Sequence, residues 1–431
     1  MKKTKNFFLK KKILVYGMGK SGVSTYNFLK EKANLYLFDD NQKINFKLNR
    51  KLIDYRKIFK KEFDIIIISP GIDISHCKLS NFLKKNYQKI YTDLDVFYEF
   101  YKNDCITITG TNGKSTTCQL LFNVLSDHKL DVKLVGNIGN PILSTKNIKK
   151  KTIFVVEASS YQLDYSKIFK SKYASILNLS PDHIERHKTL KKYIQAKFKL
   201  LKNQNKACTA FVKKDDFLIN QEMKSTKLKS KVIKVTPNNH NSIFKKLNNK
   251  YFLTETNKEN LSFVIEISKK LKIRKELLIR TIKNFKGLRY RQQIIFKRKG
   301  LTIVNDSKST SFSSSIGILK SNSNIYWILG GIHKRGDKFK LPKKYFNNIR
   351  AFIYGKKKKF FNSKLNGKIK YENFSSLKRA LQKVIKIVKK KKLKEQTILF
   401  SPSAASFDSF KNFEDRGFYF NKLVKKYLNG I

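Results

Sequence analysis

The chain has 431 residues, 40% hydrophobic and 13% aromatic. That is enough apolar surface to close real cores and too much for a disordered chain, and at roughly 100–200 residues per domain the length points to about three domains. Lys and Arg number 94 against 31 Asp and Glu, a formal net charge of +63, but the lysines are scattered over every region, so the excess reads as a compositional bias on solvated surfaces and not as a nucleic-acid interface.

Met1–Lys12 is basic, and its apolar run, Phe7-Phe8-Leu9, is too short for a signal peptide. No stretch reaches the ~18 apolar residues of a membrane span, so no membrane insertion and a cytoplasmic protein are expected. The strand Ile13–Tyr16, the turn Gly17-Met18-Gly19-Lys20-Ser21-Gly22, a helical stretch and the strand Leu35–Phe38 ending in Asp39-Asp40 make a β-turn-α-β unit. A third apolar strand, Asp64–Ser69, breaks at Pro70-Gly71. Alternating apolar and helical runs imply a parallel sheet, hence a Rossmann-like domain over residues 1–102.

A central α/β domain, 103–287, opens with the strand Cys105–Thr109, the loop Gly110-Thr111-Asn112-Gly113-Lys114-Ser115-Thr116 and a helix to Leu125. Strands at Thr152–Val156, ending in Glu157, and at Ala174–Leu179, leading to Asp182-His183, follow; the sheet is expected to be mixed. From Cys208 to Tyr251 the pattern weakens into short strands and Lys/Asn-rich connections, and 260–271 and 275–285 look helical. Gly287-Leu288-Arg289-Tyr290-Arg291 marks a junction to a Rossmann-like C-terminal domain, 288–431, with strands at Leu301–Val304, Tyr326–Leu329, Ala351–Tyr354 and Thr397–Phe400. Lys386–Lys394 reads as a solvated helix end. Cys77, Cys105, Cys118 and Cys208 have neither metal nor redox spacing, in keeping with a reducing compartment.

The strongest chemical signal is the loop Gly110–Thr116. A glycine-rich turn from strand to helix exposes backbone N–H groups to phosphate oxygens; Lys114 can neutralise β- and γ-phosphates and Ser115 can reach Mg²⁺. A strict Walker loop needs glycine five positions before Gly113, where Ile108 stands. Glu157, at the carboxyl edge of the sheet, offers Mg²⁺ a hard oxygen ligand beside that loop. A strand-end glutamate is as often a surface residue, and a lone histidine such as His183 is more often structural than a ligand.

The loop with Ile108 resembles that of the Mur ligases and folylpolyglutamate synthetases. Asn178-x-x-x-Asp182-His183, Ala196-Lys197, Asn305-Asp306-Ser307-Lys308-Ser309-Thr310 and Gly287–Arg291 resemble Mur ligase segments, with Tyr290 where that family has His. Ser401–Gly417 follows, almost position for position, the C-terminal signature of the branch that adds D-glutamate. A folylpolyglutamate synthetase would lack the uridine-binding first domain, and a P-loop enzyme acting on nucleic acid would need a clustered basic face.

The resemblance implies a monomeric ATP-dependent amide ligase of peptidoglycan precursor synthesis, with UDP-N-acetylmuramoyl-L-alanine and D-glutamate as substrates. It would use ATP and two Mg²⁺ ions and proceed through an acyl phosphate and a tetrahedral intermediate. It implies Lys114, His183 and Lys197 as catalytic residues, and Ser115, Glu157, His183 and a carbamylated Lys197 at the metals. Gly110, Thr111, Asn112, Gly113, Lys114, Ser115 and Thr116 would cradle ATP phosphates; Arg291 and Lys308 would join them, with Asp306 at the ribose. Asn257 and Asn260 would lie near adenine, where the family's preceding His is absent. Ser21 and Asp39 fall to the uridine diphosphate, with Ser69 and Gly71 nearby; Asn137 to the muramoyl part; Ser159 and Gln162 to substrate binding; and Thr310, Lys334, Ser406 and Phe413 to D-glutamate.

Overall fold

The computed structural model describes residues 6–41, 52–247, 249–298, 300–334, 336–390 and 395–428. The first five residues of the basic N-terminal segment and the stretch 391–394 of the lysine run lie outside them. Three sheets organise the rest. The first, of β1 (Lys12–Tyr16), β2 (Asn34–Phe38), β3 (Ile65–Ile68) and β4 (Ile90–Tyr91), runs β2-β1-β3-β4 with every pairing parallel. β3 is four consecutive isoleucines, all buried, as a parallel strand covered on both faces demands.

The second sheet holds β5 (Cys105–Thr109), β6 (Val132–Gly136), β7 (Ile153–Glu157), β8 (Tyr173–Ile176), β9 (Thr209–Lys213) and β10 (Lys231–Val235), in the order β10-β9-β8-β5-β7-β6. The mixed sheet expected here is corrected: among the described strands every pairing is parallel. Each strand returns through a crossover long enough to bring the chain back to the same edge.

The antiparallel strand lies instead in the third sheet, where β11 (Gln293–Arg298) pairs antiparallel with β12 (Leu301–Asn305) across a short turn at Gly300. β13 (Ile325–Gly330), β14 (Ile349–Tyr354), β15 (Lys370–Phe374) and β16 (Gln396–Phe400) complete it in the order β11-β12-β16-β13-β14-β15.

In the weakly patterned region from Cys208, a helix at Phe217–Ser225 was not expected; of its residues only Ile219 is buried, so apolar periodicity is nearly absent. Its signal is the cap: Asp216 accepts a hydrogen bond from the Ile219 amide at 3.0 Å. The helix expected from Asn260 begins at Glu255, and the lysine-rich helix Leu377–Lys390 buries one apolar stripe, Leu377, Ala380, Leu381, Val384, Ile385 and Val388, with its lysines outside.

The chain divides into two compact units, one built from 1–179, 186–240 and 262–281, the other from 180–185, 241–261 and 282–431. Among the described residues no helix is long and apolar enough to cross a membrane.

Candidate active site

In each sheet the strand order reverses beside a central strand, and crevices at the carboxyl ends of the strands flanking such a reversal are where open α/β sheets take ligands. In the first sheet the edge between β1 and β3 carries the Gly17–Gly22 turn. A side chain at Gly22 would collide with the Gly17 carbonyl, its Cβ only 1.8 Å from that oxygen. Asp39 accepts from the Met18 amide at 2.5 Å, and the Ser69 hydroxyl donates to the Gly17 carbonyl at 2.5 Å. Two of the residues expected at a uridine diphosphate therefore hold the turn itself. Ser21 hydrogen-bonds Asp93, a carboxyl pushed up to about 6 by burial. The Gly71 carbonyl accepts from Arg186 at 3.4 Å.

At the second sheet's reversal, β5 lies between β8 and β7 and leads into the phosphate loop. Asn178, at the end of the neighbouring strand's run, clamps that loop: its backbone carbonyl accepts from Thr111 and its side-chain oxygen from the Asn112 amide, both at 2.9 Å. Gly113 takes φ +86°, a left-handed conformation that side chains resist, and hands over to the helix Lys114–Asp127 without a side-chain cap. The positive end of the helix thus faces the loop. The Lys114 ammonium donates to the carbonyls of Gly110 and Thr111, each at 2.9 Å, and Lys197, 2% exposed, donates to the same Gly110 carbonyl at 2.9 Å and to the Thr109 hydroxyl at 3.3 Å.

Glu157 pairs in register with Ile108 on β5, two residues before the loop begins. It is 1% exposed; one carboxylate oxygen accepts from the Asn137 amide at 2.8 Å, and the other, Oε2, is buried with no hydrogen-bond donor. A buried carboxylate oxygen without a donor is costly, and it fits a divalent cation. Ser115 is buried at the loop's helical end. Among the described residues no group of three or more His, Cys, Asp or Glu gathers to hold a metal; the Ser115 hydroxyl and the Glu157 carboxylate are hard oxygen donors, of the kind Mg²⁺ takes. Ser159 and Gln162 form a capping box on the helix Ser160–Tyr165, Ser159 Oγ accepting from the Gln162 amide at 3.3 Å and Gln162 Oε1 from the Ser159 amide at 3.1 Å.

In the third sheet β16 lies between β12 and β13, and Asp306, Ser401 and Gly331 follow the three strand ends. Asp306 accepts from the Ser401 hydroxyl at 2.8 Å and the Gln292 amide at 3.1 Å; burial pushes its carboxyl up to about 7 against those hydrogen bonds. From Ser401 a chain of hydroxyls runs through Ser315 (2.7 Å) to Ser403 (2.6 Å) and Ser309 (2.7 Å). Lys308 lies 3.9 Å from the centre of the Phe413 ring, and Arg291 6.0 Å from it, so two residues expected at ATP lie against a ring expected at D-glutamate.

Asn257 and Asn260 are buried, and the Asn257 amide is used on the Tyr251 carbonyl (2.8 Å) and on Gln292 (3.0 Å), joining its helix to the junction. Tyr290, where the resemblance has His, takes φ +61° and accepts from the Lys308 amide. Its ring covers Gly417, where a Cβ would come within 2.4 Å of it.

Lys334 reaches Asp182 at 2.5 Å, and Asp182 Oδ2 lies 3.4 Å from His183 Nε2. An antiparallel bridge between Ile332 and Ala405 sets the strand leading to Lys334 beside buried Ser406. Thr310 lies one residue before the N-cap of the helix Phe312–Lys320, whose first amide donates to Asp337 at 2.8 Å.

Three structural partners carried no role in the sequence reading: Asn178, Gln292 and Arg416. Arg416 is fully buried and donates to the carbonyls of Ser307 (2.7 Å) and Ala404 (2.9 Å) and to the Ser307 hydroxyl (3.1 Å). Asn178 and Arg416 sit inside recognisable segments and Gln292 directly after one, but their side chains meet partners far away in sequence, which spacing alone does not report.

The Mur ligase middle domain model matches residues 108–280. The chain is 33% identical to the UDP-N-acetylmuramoylalanine--D-glutamate ligase of Rickettsia felis, covering 99% of each chain, and 32% identical to that of Francisella tularensis subsp. tularensis, covering 96% of this chain and 95% of the other. In fold it is similar to a pseudomurein peptide ligase type C from Methanothermus fervidus (TM-score 0.57, 17% identity, 96% of this chain and 99% of that one). It is likewise similar to a MurF ligase from Thermotoga maritima solved in complex with ADP (TM-score 0.55, 13% identity, 97% and 96%).

Proposed function

The chain belongs to the Mur ligase family, among the UDP-N-acetylmuramoylalanine--D-glutamate ligases, and from that premise we propose that it joins D-glutamate to UDP-N-acetylmuramoyl-L-alanine using ATP, in peptidoglycan precursor synthesis. The substrates divide over the three sheet edges: the uridine diphosphate with 1–102, ATP chiefly with 103–287 and in part with Arg291, Asp306 and Lys308, and D-glutamate with 288–431. The proposed working form is a monomer in the cytoplasm.

The observation that supports this most is Glu157 Oε2, a carboxylate oxygen buried without a donor beside a loop built to take phosphate. Two Mg²⁺ ions would neutralise phosphate charge and so ease attack at phosphorus, with Ser115, Glu157 and a carbamylated Lys197 offered as ligands and His183 as a further one. Lys114 exchanges the Gly110 and Thr111 carbonyls for γ-phosphate oxygens, while the first-turn amides after Gly113 hold the β-phosphate. Asp306 holds the ribose, Arg291 and Lys308 add positive charge at the phosphates, and Asn257 and Asn260 back the adenine.

The carboxylate of the muramoyl-alanine substrate, oriented by Asn137, Ser159 and Gln162, attacks the γ-phosphorus, and ADP leaves. The amine of D-glutamate then attacks the carbonyl carbon of the acyl phosphate, the nitrogen gives up a proton, with His183 or a metal-proximal group to assist, and the tetrahedral intermediate expels phosphate. Negative charge gathers at both steps, so positioned cations and amides are the main catalytic resource. Initial-rate assays of ADP release should require the UDP-muramoyl-alanine substrate and D-glutamate together. Equal rates with L-glutamate or a diamino acid would defeat the assignment.

A further inference from the structure

Tyr290 takes φ +61°, a left-handed conformation that bulky side chains resist, and Gly417 sits inside the helix Phe413–Leu428, where glycine is a poorer residue than alanine. Each is locally unfavourable, and the two meet. A Cβ at Gly417 would come within 2.4 Å of Tyr290 Cδ1, 2.5 Å of its Cγ and 3.1 Å of its Cβ. Those atoms form the root of the side chain, so the ring cannot swing clear unless its backbone moves. That backbone is held on both sides: the Tyr290 amide donates to Gln293 Oε1 at 3.1 Å, and the Tyr290 carbonyl accepts from the Lys308 amide at 3.0 Å.

The segment 305–308 is tied to both the linker and the helix. On the linker side the Gln292 amide donates to Asp306 at 3.1 Å. On the helix side the Asn305 side chain donates to the Gly417 carbonyl at 2.9 Å, the Ser307 hydroxyl to the Phe413 carbonyl at 2.9 Å, and Arg416 to the Ser307 carbonyl at 2.7 Å. Linker, segment and helix close a triangle whose third side is the Tyr290 ring on the bare backbone of Gly417. Arg291 follows Tyr290 in the chain, Asp306 and Lys308 belong to the segment, and Lys308 lies against Phe413, the first residue of the helix. We propose that this contact is a steric lock: the Tyr290 ring sets the spacing between linker and helix, and Tyr290 is thereby a positioning residue for Arg291, Asp306 and Lys308. The lock rests on the reading of those three residues at ATP, and it gives a role to the linker residue that departs from the family's His.

The test follows ADP release by the full-length wild type, Gly417→Ala, Tyr290→Ala, Tyr290→Phe and the double variant Tyr290→Ala, Gly417→Ala. Gly417→Ala pushes on the ring and should raise KM for ATP about tenfold or more, while KM for the UDP-muramoyl-alanine substrate moves less than about twofold. Once Tyr290→Ala has removed the ring, adding Gly417→Ala should cost less than about a further twofold. In that background Gly417→Ala should also raise the melting temperature, as it does inside a helix, whereas beside the ring it should lower it. Tyr290→Phe keeps the ring and should hold KM for ATP within about twofold of wild type, where Tyr290→Ala raises it several-fold. Equal losses from Gly417→Ala in both backgrounds would overturn the lock, as would a KM for ATP that Tyr290→Ala leaves unchanged. If Gly417→Ala alone does not fold, Tyr290→Ala against Tyr290→Phe decides the matter by the same KM. A wild type that releases no ADP with both substrates present would instead overturn the function on which the lock rests.

Discussion

At the phosphate loop the polar groups come from one continuous run, Gly110–Thr116, most of them backbone, and the neighbouring Glu157 keeps a buried oxygen without a donor. At the edge of the third sheet they come from separated stretches around residues 292, 306, 315, 401 and 416, side chains and backbone together, and most of them satisfy one another through Asp306, the serine hydroxyls and Arg416, although Arg416 Nη1 is buried without a partner. On the proposed function a ligand completes the first arrangement, whereas the second is mostly paired as folded. Substitutions in the first should therefore cost activity and spare stability, whereas those in the second should cost stability.

The largest effect tests the first half. Glu157→Gln removes a buried charge that lacks a donor for Oε2 while keeping the shape that meets Asn137. ADP release should fall on the order of 10²–10³-fold, the scale of losing one preorganised electrostatic partner of a reacting phosphate, and the melting temperature should not fall. A drop of several degrees would mean that Glu157 serves the fold as much as the ligand. Next in size is Arg416→Met, which strips three hydrogen bonds from the Ser307 and Ala404 segments in a fully buried place. Urea unfolding should show a loss of about 2–4 kcal/mol; a loss below about 0.5 kcal/mol would break the contrast.

The same contrast explains what could be read from sequence. Gly110–Thr116 is legible because a backbone cradle needs only local residue types, and the strands from β1 to β16 are legible where apolar runs are dense, as in Ile65–Ile68. The hairpin of β11 and β12 was missed because Gln293–Arg298 is partly exposed, leaving little apolar contrast. Lys334, Ser406 and Phe413 could be named only through resemblance, since the Ile332–Ala405 bridge that brings the first two segments together spans some seventy residues of chain. Asn178, Gln292 and Arg416 went unassigned for the same reason: each acts on a partner that the local pattern does not announce.

Ser315→Ala probes the hydroxyl chain itself. Ser315 is buried and bonds Ser309, Ser401 and Ser403, and the neighbours left behind can partly pair with one another. Chemical denaturation should show a loss of about 1–2 kcal/mol, with ADP release near wild type. An activity loss larger than the stability loss would show that the chain tunes Asp306 and would blur the two regions into one.

The smallest effect appears near neutral pH and concerns Asp306. Burial raises its carboxyl from 3.8 to about 7 in the folded chain, so between those values the native state holds a proton that the unfolded chain has released. The contribution to stability is then fully present below about pH 4 and is lost as pH rises through about 7. Asp306→Asn, which cannot ionise, should lose that part of the slope: across pH 6 to 8 its unfolding free energy should gain on wild type by about 1 kcal/mol, measured by urea titration at each pH. Parallel pH profiles would mean that Ser401 and the Gln292 amide already hold Asp306 ionised, and that the third sheet's edge, like the phosphate loop, keeps a charge in readiness for its ligand.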